Sequence, residues 1–178
     1  GIVEAVGRDV TYVKPGDHVI TCLSVFCGHC EFCLTGHMSI CQTPEVKMLP
    51  GKARRMRWKG AHLNQYLNLS SFAEQMLVHE HALVKVTPDM PLDLASLIGC
   101  GVMTGYGAIV HTAKVEPGST VAVVGCGGIG RAAVNGAEIA GAGRIIAIDK
   151  DPGKLELAKK FGADDGIVAD EDTAKRVL

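Results

Sequence analysis

The chain has 178 residues, of which 47% are hydrophobic and 21% charged, and its formal net charge is -1 at pH 7. This composition predicts a folded protein with a packed core and excludes a disordered chain. The balance of charges argues against nucleic acid or an anionic membrane as partner. We expect no membrane span and no secretory leader, and therefore a soluble, cytoplasmic protein. The length allows one large domain or parts of two.

The first part of the chain is predicted to be rich in β-structure. Strand-forming runs from Gly1 to Val6 and from His18 to Leu23 flank a Pro-Gly-Asp turn. Ser71 to Val86 returns to strand alternation, which would place His79 and His81 on one face of a strand. We expect these histidines to be partly exposed strand residues, with a metal-binding pair as the alternative.

Four cysteines crowd into the segment CGHCEFCLTGHMSIC at C-x2-C-x2-C-x7-C spacing, namely Cys27, Cys30, Cys33 and Cys41. Disulfides are disfavoured because such short loops strain their geometry. C-x2-C turns instead aim two thiolates at one metal ion. An iron–sulfur cluster prefers a shorter last gap followed by Pro, whereas Gln42 follows here. Cysteines that only pack are the third possibility. The spacing favours a closed, structural zinc site, which leaves no coordination position for substrate.

The middle of the chain contains an irregular stretch and then a helical one. Pro44 to Asn64 is basic with few periodic apolar positions, and is predicted to be a surface excursion. Pro88 and Pro91 precede a predicted helical region from Leu92 to Lys114, which contains LIGCGVMTGYGA. We expect the break between two domains near Pro88 to Gly101.

The second half contains the order strand, glycine turn, helix and strand. Thr120 to Val124 is an apolar, β-branched run typical of a buried parallel strand. Arg131 to Ala140 is Ala-rich and helix-compatible. Arg144 to Ile148 predicts a second strand, which ends in Asp149.

The turn between that first strand and the helix carries glycines in G-x-G-x-x-G order. Gly125 would allow the tight turn, Gly127 would let the backbone approach a pyrophosphate, and Gly130 would let helix and strand pack closely. Asp149 stands where an acid bonds ribose hydroxyls and repels a 2′-phosphate, so NAD is favoured over NADP, although Lys150 beside it weakens this preference. The alternative is a βαβ unit whose glycines serve packing alone.

Taken together, these segments resemble the zinc-containing alcohol dehydrogenases of the medium-chain dehydrogenase/reductase family. The resemblance covers the whole chain through GIVEAVG, PGDHV, CGHCEFC, LIGCGVMTGYGA, GCGGIG and RIIAIDKDPGKLELAKKFGA. It implies an α/β plus β fold, with part of a β-rich GroES-like catalytic domain at residues 1–95 and the first half of a Rossmann dinucleotide-binding domain at residues 96–178. It also implies a homodimer or homotetramer when the protein is complete.

The same resemblance assigns site residues position by position. The structural zinc ligands would be Cys27, Cys30, Cys33 and Cys41. Cys100 would be a catalytic residue as one ligand of the catalytic zinc. The cofactor contacts would be Thr104, Gly125, Gly127, Gly128, Ile129, Gly130, Asp149 and Lys154. An apolar substrate pocket would include Leu23, Tyr66 and Leu67. Cys22 and Cys126 have no family role and are expected to pack.

The implied function is NAD-linked, zinc-dependent oxidation of an alcohol to an aldehyde or ketone by hydride transfer. Small primary alcohols, bulkier alcohols and thiol–formaldehyde adducts are all open as substrates, and a non-catalytic nucleotide-binding relative is the alternative of another class. In this family a Cys and a Gly-His-Glu motif supply the other catalytic zinc ligands, and both would precede Gly1. We therefore expect the chain to be an internal piece of a family member, inactive by itself.

Overall fold

The computed structural model describes residues 1–44, 46 and 56–177. These residues form two compact units, Gly1–Gly99 and Cys100–Leu178. The expected α/β plus β architecture is present, because short antiparallel strands occupy the first unit and a parallel sheet with helices occupies the second. The exact domain limits of 95 and 96, and the roles assigned to the two domains, stay predictions.

The first unit is built from four three-residue strands and short helical turns. Its strands are β1 (Val19–Thr21), β2 (Met56–Trp58), β3 (Ala61–Leu63) and β4 (Leu83–Lys85). Its helical pieces are α1 (Glu31–Leu34), α2 (Leu92–Ala95) and the 3-10 turns Met38–Ile40, Tyr66–Asn68 and Glu80–Ala82. β1 pairs antiparallel with β4, and β2 pairs antiparallel with β3. The β1–β4 pair therefore joins segments that are far apart in sequence, whereas β2 and β3 are neighbours in the chain.

Two predicted strands of the first unit are wrong over most of their length. Of Gly1 to Val6, only Ile2 pairs, in an isolated bridge to His18. Of Ser71 to Val86, only β4 is a strand, and the turn Glu80–Ala82 precedes it. At this turn the side chain of His79 accepts the backbone N–H of His81, which offers the amide an alternative to a ladder bond. His79 and His81 thus lie on a turn and not on a strand face.

The structure describes only part of the predicted surface excursion from Pro44 to Asn64. Residues 45 and 47–55 lie outside the described residues. The part from Met56 to Leu63 is not irregular but forms the β2–β3 hairpin. Its turn residues Lys59 and Gly60 both have positive φ, 48° and 81°, as the tight hairpin turn that matches strand twist requires.

The helical region predicted from Leu92 to Lys114 is confirmed. α2 is followed by α3 (Met103–Gly107), and π-helical turns span Ile98–Val102 and Ala108–Ala113. Contrary to expectation, the segment Leu92–Ala113 is long and apolar enough, by length and composition, to cross a membrane. Part of it packs against protein: a Cβ added at Gly105 would lie 2.7 Å from the Cβ of Ala132. The close contact is local, since 17% of the most apolar part of the segment is buried.

The second unit is a three-stranded parallel sheet in the order β5-β6-β7. Its elements are β5 (Thr120–Val124), α4 (Gly128–Ile139), β6 (Arg144–Asp149), α5 (Pro152–Lys159), β7 (Asp165–Val168) and α6 (Thr173–Val177). The central strand β6 is buried from Ile145 to Ile148, as expected for a parallel strand covered on both faces. Both predicted strands and the predicted helix are confirmed, and Cys126 is packed in the core as expected.

Candidate metal and nucleotide sites

The four clustered cysteines lie in one lobe between β1 and β2. Cys27 and Cys30 precede α1, Cys33 lies in it, and Cys41 follows the next 3-10 turn. All four Sγ atoms lie within 4.8 Å of one another, and all four cysteines are free of disulfides. The separations are 3.5 Å for Cys30–Cys33, 3.8 Å for Cys27–Cys33 and 3.9 Å for Cys30–Cys41. Four thiolates at about 2.3 Å from one zinc would stand about 3.8 Å apart, so the donor set fits zinc.

Hydrogen bonds around the lobe favour the thiolate form at two of the four sulfurs. The Sγ of Cys27 accepts from the Thr43 hydroxyl at 3.2 Å and from the Cys30 backbone N–H at 3.3 Å. These donors lower the pKa of Cys27 to about 5, and the hydroxyl of Thr43 has the largest effect. The backbone N–H of Thr43 likewise lowers the pKa of Cys41, whereas burial raises the pKa of Cys33 to about 11.

Thr43 contacts the cysteine lobe directly, which the sequence analysis did not predict. Groups that hydrogen-bond to metal ligands orient them, and Thr43 serves two of the four sulfurs. A hydroxyl residue two positions after the last cysteine was the available signal.

The two histidines of the turn are near each other but are not part of a larger group of potential metal ligands. The ring centroids of His79 and His81 are 4.9 Å apart, and the Nδ1 of His81 is hydrogen-bonded to the carbonyl oxygen of Phe26 at 2.8 Å. Over residues 1–44, 46 and 56–177, the cysteine lobe is the one group of three or more potential ligands with suitable spacing. The geometry therefore does not support the alternative of a metal-binding histidine pair.

The glycine turn between β5 and α4 has the shape that an anionic ligand needs. Gly125 has a φ of 89°, which glycine adopts without strain. A Cβ on Gly130 would collide with the carbonyl oxygen of Gly125, so close packing requires glycine there too. Added Cβ atoms at Gly127 and Gly128 would meet nothing within 4 Å. The N-terminus of the twelve-residue helix α4, with Ile129 in its first turn, thus opens towards free space, as a helix terminus that binds phosphate must.

Asp149 lies at the carboxyl end of β6, beside this turn. Its Oδ2 accepts the backbone N–H of Cys126 at 2.7 Å, and its Oδ1 accepts that of Asp151 at 2.9 Å. The Nζ of Lys154 is 3.9 Å from Oδ1. The N–H of Asp151, then that of Cys126, lowers the pKa of Asp149, so the carboxylate is charged at neutral pH. The structure brings the predicted ribose contacts Asp149 and Lys154 together, and adds a bond to the glycine turn that the sequence reasoning missed.

The remaining predicted residues are exposed, and their roles stay predictions. Cys100 lies in the π-helical turn Ile98–Val102, and Thr104 lies four residues later in α3. Leu23, Tyr66 and Leu67 are 40%, 75% and 46% exposed. A cavity of about 620 Å³ in the first unit includes none of these three side chains in its lining.

Comparison with known proteins identifies the family. A family model described as "Alcohol dehydrogenase GroES-like domain" matches residues 1–89, and one described as "Zinc-binding dehydrogenase" matches residues 128–178. The chain is 47% identical over 174 residues to an alcohol dehydrogenase class-3 from Myxine glutinosa, covering 96% of this chain and 46% of that protein. It is 47% identical over 171 residues to an S-(hydroxymethyl)glutathione dehydrogenase from Escherichia coli O1:K1, covering 94% and 46%.

Solved structures agree with this assignment. An alcohol dehydrogenase zinc-binding domain protein from Burkholderia ambifaria superimposes with a TM-score of 0.83 at 37% identity, covering 99% of this chain and 50% of that one. Benzyl alcohol dehydrogenase from Acinetobacter calcoaceticus gives a TM-score of 0.81 at 36% identity, covering 98% and 49%. The chain spans about half the length of the curated relatives it matches, 46% of each. It belongs to the zinc-containing alcohol dehydrogenases of the medium-chain dehydrogenase/reductase family.

Proposed function

We propose that the complete protein is an NAD-dependent, zinc-dependent dehydrogenase that oxidises an alcohol to an aldehyde or ketone. The observation that carries the proposal is the β5–α4–β6 unit, in which a glycine turn open to a phosphate lies beside a charged Asp149 at the end of β6. Such a turn and acid are the features by which a parallel sheet binds a dinucleotide. Membership of the family supports the reaction class.

The residues of this chain would share the work in three groups. The backbone N–H groups of Gly127, Gly128 and Ile129 would hold the pyrophosphate, and Asp149 and Lys154 would contact the adenosine ribose. Leu23, Tyr66 and Leu67 would line an apolar substrate pocket, and Thr104 would lie near the nicotinamide. The cysteine lobe would hold a structural zinc, and Cys100 would be one ligand of a catalytic zinc. When bound, the catalytic zinc would polarise the substrate oxygen and NAD would accept a hydride.

A second substrate class is favoured by a specific observation. Relatives named S-(hydroxymethyl)glutathione dehydrogenase are 47% identical to this chain, the same identity as the relative named alcohol dehydrogenase class-3. A thiol–formaldehyde adduct is therefore the second candidate, beside a simple alcohol. A nucleotide-binding protein that does not catalyse is the third, and it would bind NAD without turnover.

The test is a steady-state assay of the full-length protein with NAD or NADP, a panel of primary and bulkier alcohols, and formaldehyde with and without glutathione. Thiol-dependent turnover would select the adduct, and thiol-independent turnover would select the alcohol. Asp149→Gly should narrow or reverse the preference for NAD, because it removes both the ribose acceptor and the charge that repels a 2′-phosphate. Tighter binding of NADP than of NAD, with Asp149 intact, would contradict the role given to this residue.

We also propose that the protein is cytoplasmic and assembles as a homodimer or homotetramer, with a small alcohol or aldehyde as its partner and no nucleic acid. Light scattering coupled to size-exclusion chromatography of the full-length protein measures the assembly, and a monomer would contradict it.

A further inference from the structure

We propose that His81 is a positioning residue for the cysteine lobe. Through the carbonyl of Phe26 it fixes the peptide unit that leads into Cys27, and so directs the Cys27 thiol towards the other three sulfurs. The inference concerns the structural lobe alone and does not depend on the substrate or on turnover.

The ring of His81 contacts Phe26 and lies near Gly28, the residues on the two sides of Cys27. Its Nδ1 lies 2.8 Å from the carbonyl oxygen of Phe26. Because a carbonyl oxygen only accepts, Nδ1 carries the proton in this contact. The same ring stacks on the Phe26 ring at 4.7 Å between centroids, with 12° between the planes. On the other side of Cys27, a Cβ added at Gly28 would lie 3.8 Å from the Cε1 of His81.

The backbone that carries His81 is anchored independently of the lobe. The turn Glu80–Ala82 buries Ala82, which is 2% exposed and whose carbonyl accepts the N–H of Cys22 at 2.8 Å. The carboxylate of Glu80 accepts the backbone N–H groups of Thr11 at 3.1 Å and Tyr12 at 2.8 Å. The turn is therefore held on two sides, and it holds the approach to the lobe at Cys22 and again at Phe26.

Loss of the Phe26 contact should act first on Cys27. The carbonyl of Phe26 accepts its hydrogen bond from His81. Without that bond the peptide between Phe26 and Cys27 loses one restraint, and any rotation of this peptide would move the Cβ of Cys27. The Sγ of Cys27 depends on its direction, because it must face Cys33 at 3.8 Å and accept from Thr43 at 3.2 Å.

Two substitutions separate the hydrogen bond from the ring stack. His81→Phe keeps an aromatic ring over Phe26 but removes the donor. His81→Asn keeps a donor at the δ position and removes the ring. His62→Phe, on the exposed strand β3, is the matched control for a histidine-to-phenylalanine change in the same unit.

The measurement is alkylation of the zinc-loaded, full-length protein by iodoacetamide, followed by mass spectrometry of each cysteine peptide. In His81→Phe we expect Cys27 to be labelled about tenfold faster than in the wild type, as loss of one hydrogen bond of about 1.4 kcal/mol would give. Cys22, in the same unit but outside the lobe, should keep its wild-type rate. His81→Asn should restore most of the protection, and His62→Phe should change nothing. Zinc release to a chromogenic chelator should follow the labelling of Cys27.

Three outcomes would overturn the proposal. The first is an unchanged labelling rate at Cys27 in His81→Phe. The second is equal acceleration at Cys22 and Cys27, which would mean that the unit opens as a whole. The third is fast labelling in His81→Asn with protection kept in His81→Phe, which would assign the effect to ring packing.

Discussion

Each of the two units is stabilised internally by a different kind of contact. In the second unit, β6 runs between two parallel neighbours, and Ile145 to Ile148 are each no more than 4% exposed. In the first unit the strands have three residues each, and distant segments are joined by single side chains bonded to the backbone. Examples are Gln65 to the carbonyl of Leu77 at 3.2 Å and Glu80 to the amide of Tyr12 at 2.8 Å.

The two kinds of contact respond differently to the loss of one side chain. Segments held by apolar burial should keep their position more readily than segments held by a single side chain that is hydrogen-bonded to the backbone. In a close-packed core the truncation of one side chain costs free energy, but the remaining contacts keep the strand or helix in its place, because burial is spread over many atoms. A segment held by one carboxylate, one imidazole or one metal loses its position when that group is removed. Substitutions chosen in each unit should therefore fail in different ways.

The largest effect is expected from Cys41→Ser in the first unit. Cys41 is 0% exposed, and its sulfur is one of the four in the lobe. Because a structural zinc and the fold around it form together, we expect the variant to lose one zinc per chain. Amide hydrogen exchange should become faster throughout residues 27–41 and stay unchanged in the second unit. Metal analysis after dialysis and exchange mass spectrometry measure this. Cys22→Ser is the matched control and should keep its zinc; iron in place of zinc in the folded wild type would refute the assignment.

Gly130→Ala should have the next largest effect, confined to the second unit. The new Cβ would collide with the carbonyl oxygen of Gly125, which cannot move without opening the turn. We expect a loss of about 3 kcal/mol in unfolding free energy and no measurable NAD binding. Gly128→Ala, where an added Cβ meets nothing within 4 Å, should stay within about 1 kcal/mol of the wild type. Denaturant titration followed by calorimetric titration with NAD gives both quantities, and equal stability of the two variants would show that the turn adapts.

The smallest effect is expected from Glu80→Gln, read through its dependence on pH. The N–H of Tyr12, then that of Thr11, lowers the pKa of Glu80. Because the folded-state pKa is lowered, the carboxylate stabilises the first unit fully above the ordinary pKa of glutamate, about 4.3, and this stabilisation is lost as the pH falls through the lower folded-state pKa. The wild type should therefore lose more of its melting temperature than Glu80→Gln between pH 7 and pH 3.5. Glu74→Gln is the control, and its melting temperature should depend on pH as that of the wild type does. If the melting temperatures of all three proteins fall in parallel, the Glu80 carboxylate does not stabilise the first unit.

Sequence reasoning succeeded where local sequence decides local structure. Thr120–Val124 and Arg144–Asp149 are strands as predicted, because both are β-branched runs of five or six residues; β6 is buried as expected, whereas β5 is buried only at Val123, and its Val124 is 78% exposed. The clustering of the four cysteines was predicted from their spacing, since the seven residues between Cys33 and Cys41 are enough to return the chain to the other three sulfurs.

It failed where the partner of a residue is far away in the chain. The alternation from Ser71 to Val86 reads as one strand, yet Glu80 bonds to amides 68 and 69 residues away and His81 bonds to a carbonyl 55 residues away. No local pattern records such partners. The β2–β3 hairpin was missed for another reason, because Lys59 occupies a turn position with positive φ that asparagine or glycine would have signalled.

The two amide bonds of Asp149 limit how the choice of cofactor could be redesigned. The carboxylate expected to read the ribose also fastens the glycine turn, at Cys126, to the start of α5, at Asp151. Removing it to admit a 2′-phosphate would loosen the loop that has to hold the pyrophosphate. A route towards NADP would first need other acceptors for these two amides, because the single carbonyl oxygen of Asn could replace only one of the two carboxylate oxygens, and only then a cation nearby to receive the phosphate. Cofactor preference and the geometry of the glycine turn therefore both depend on the side chain of Asp149.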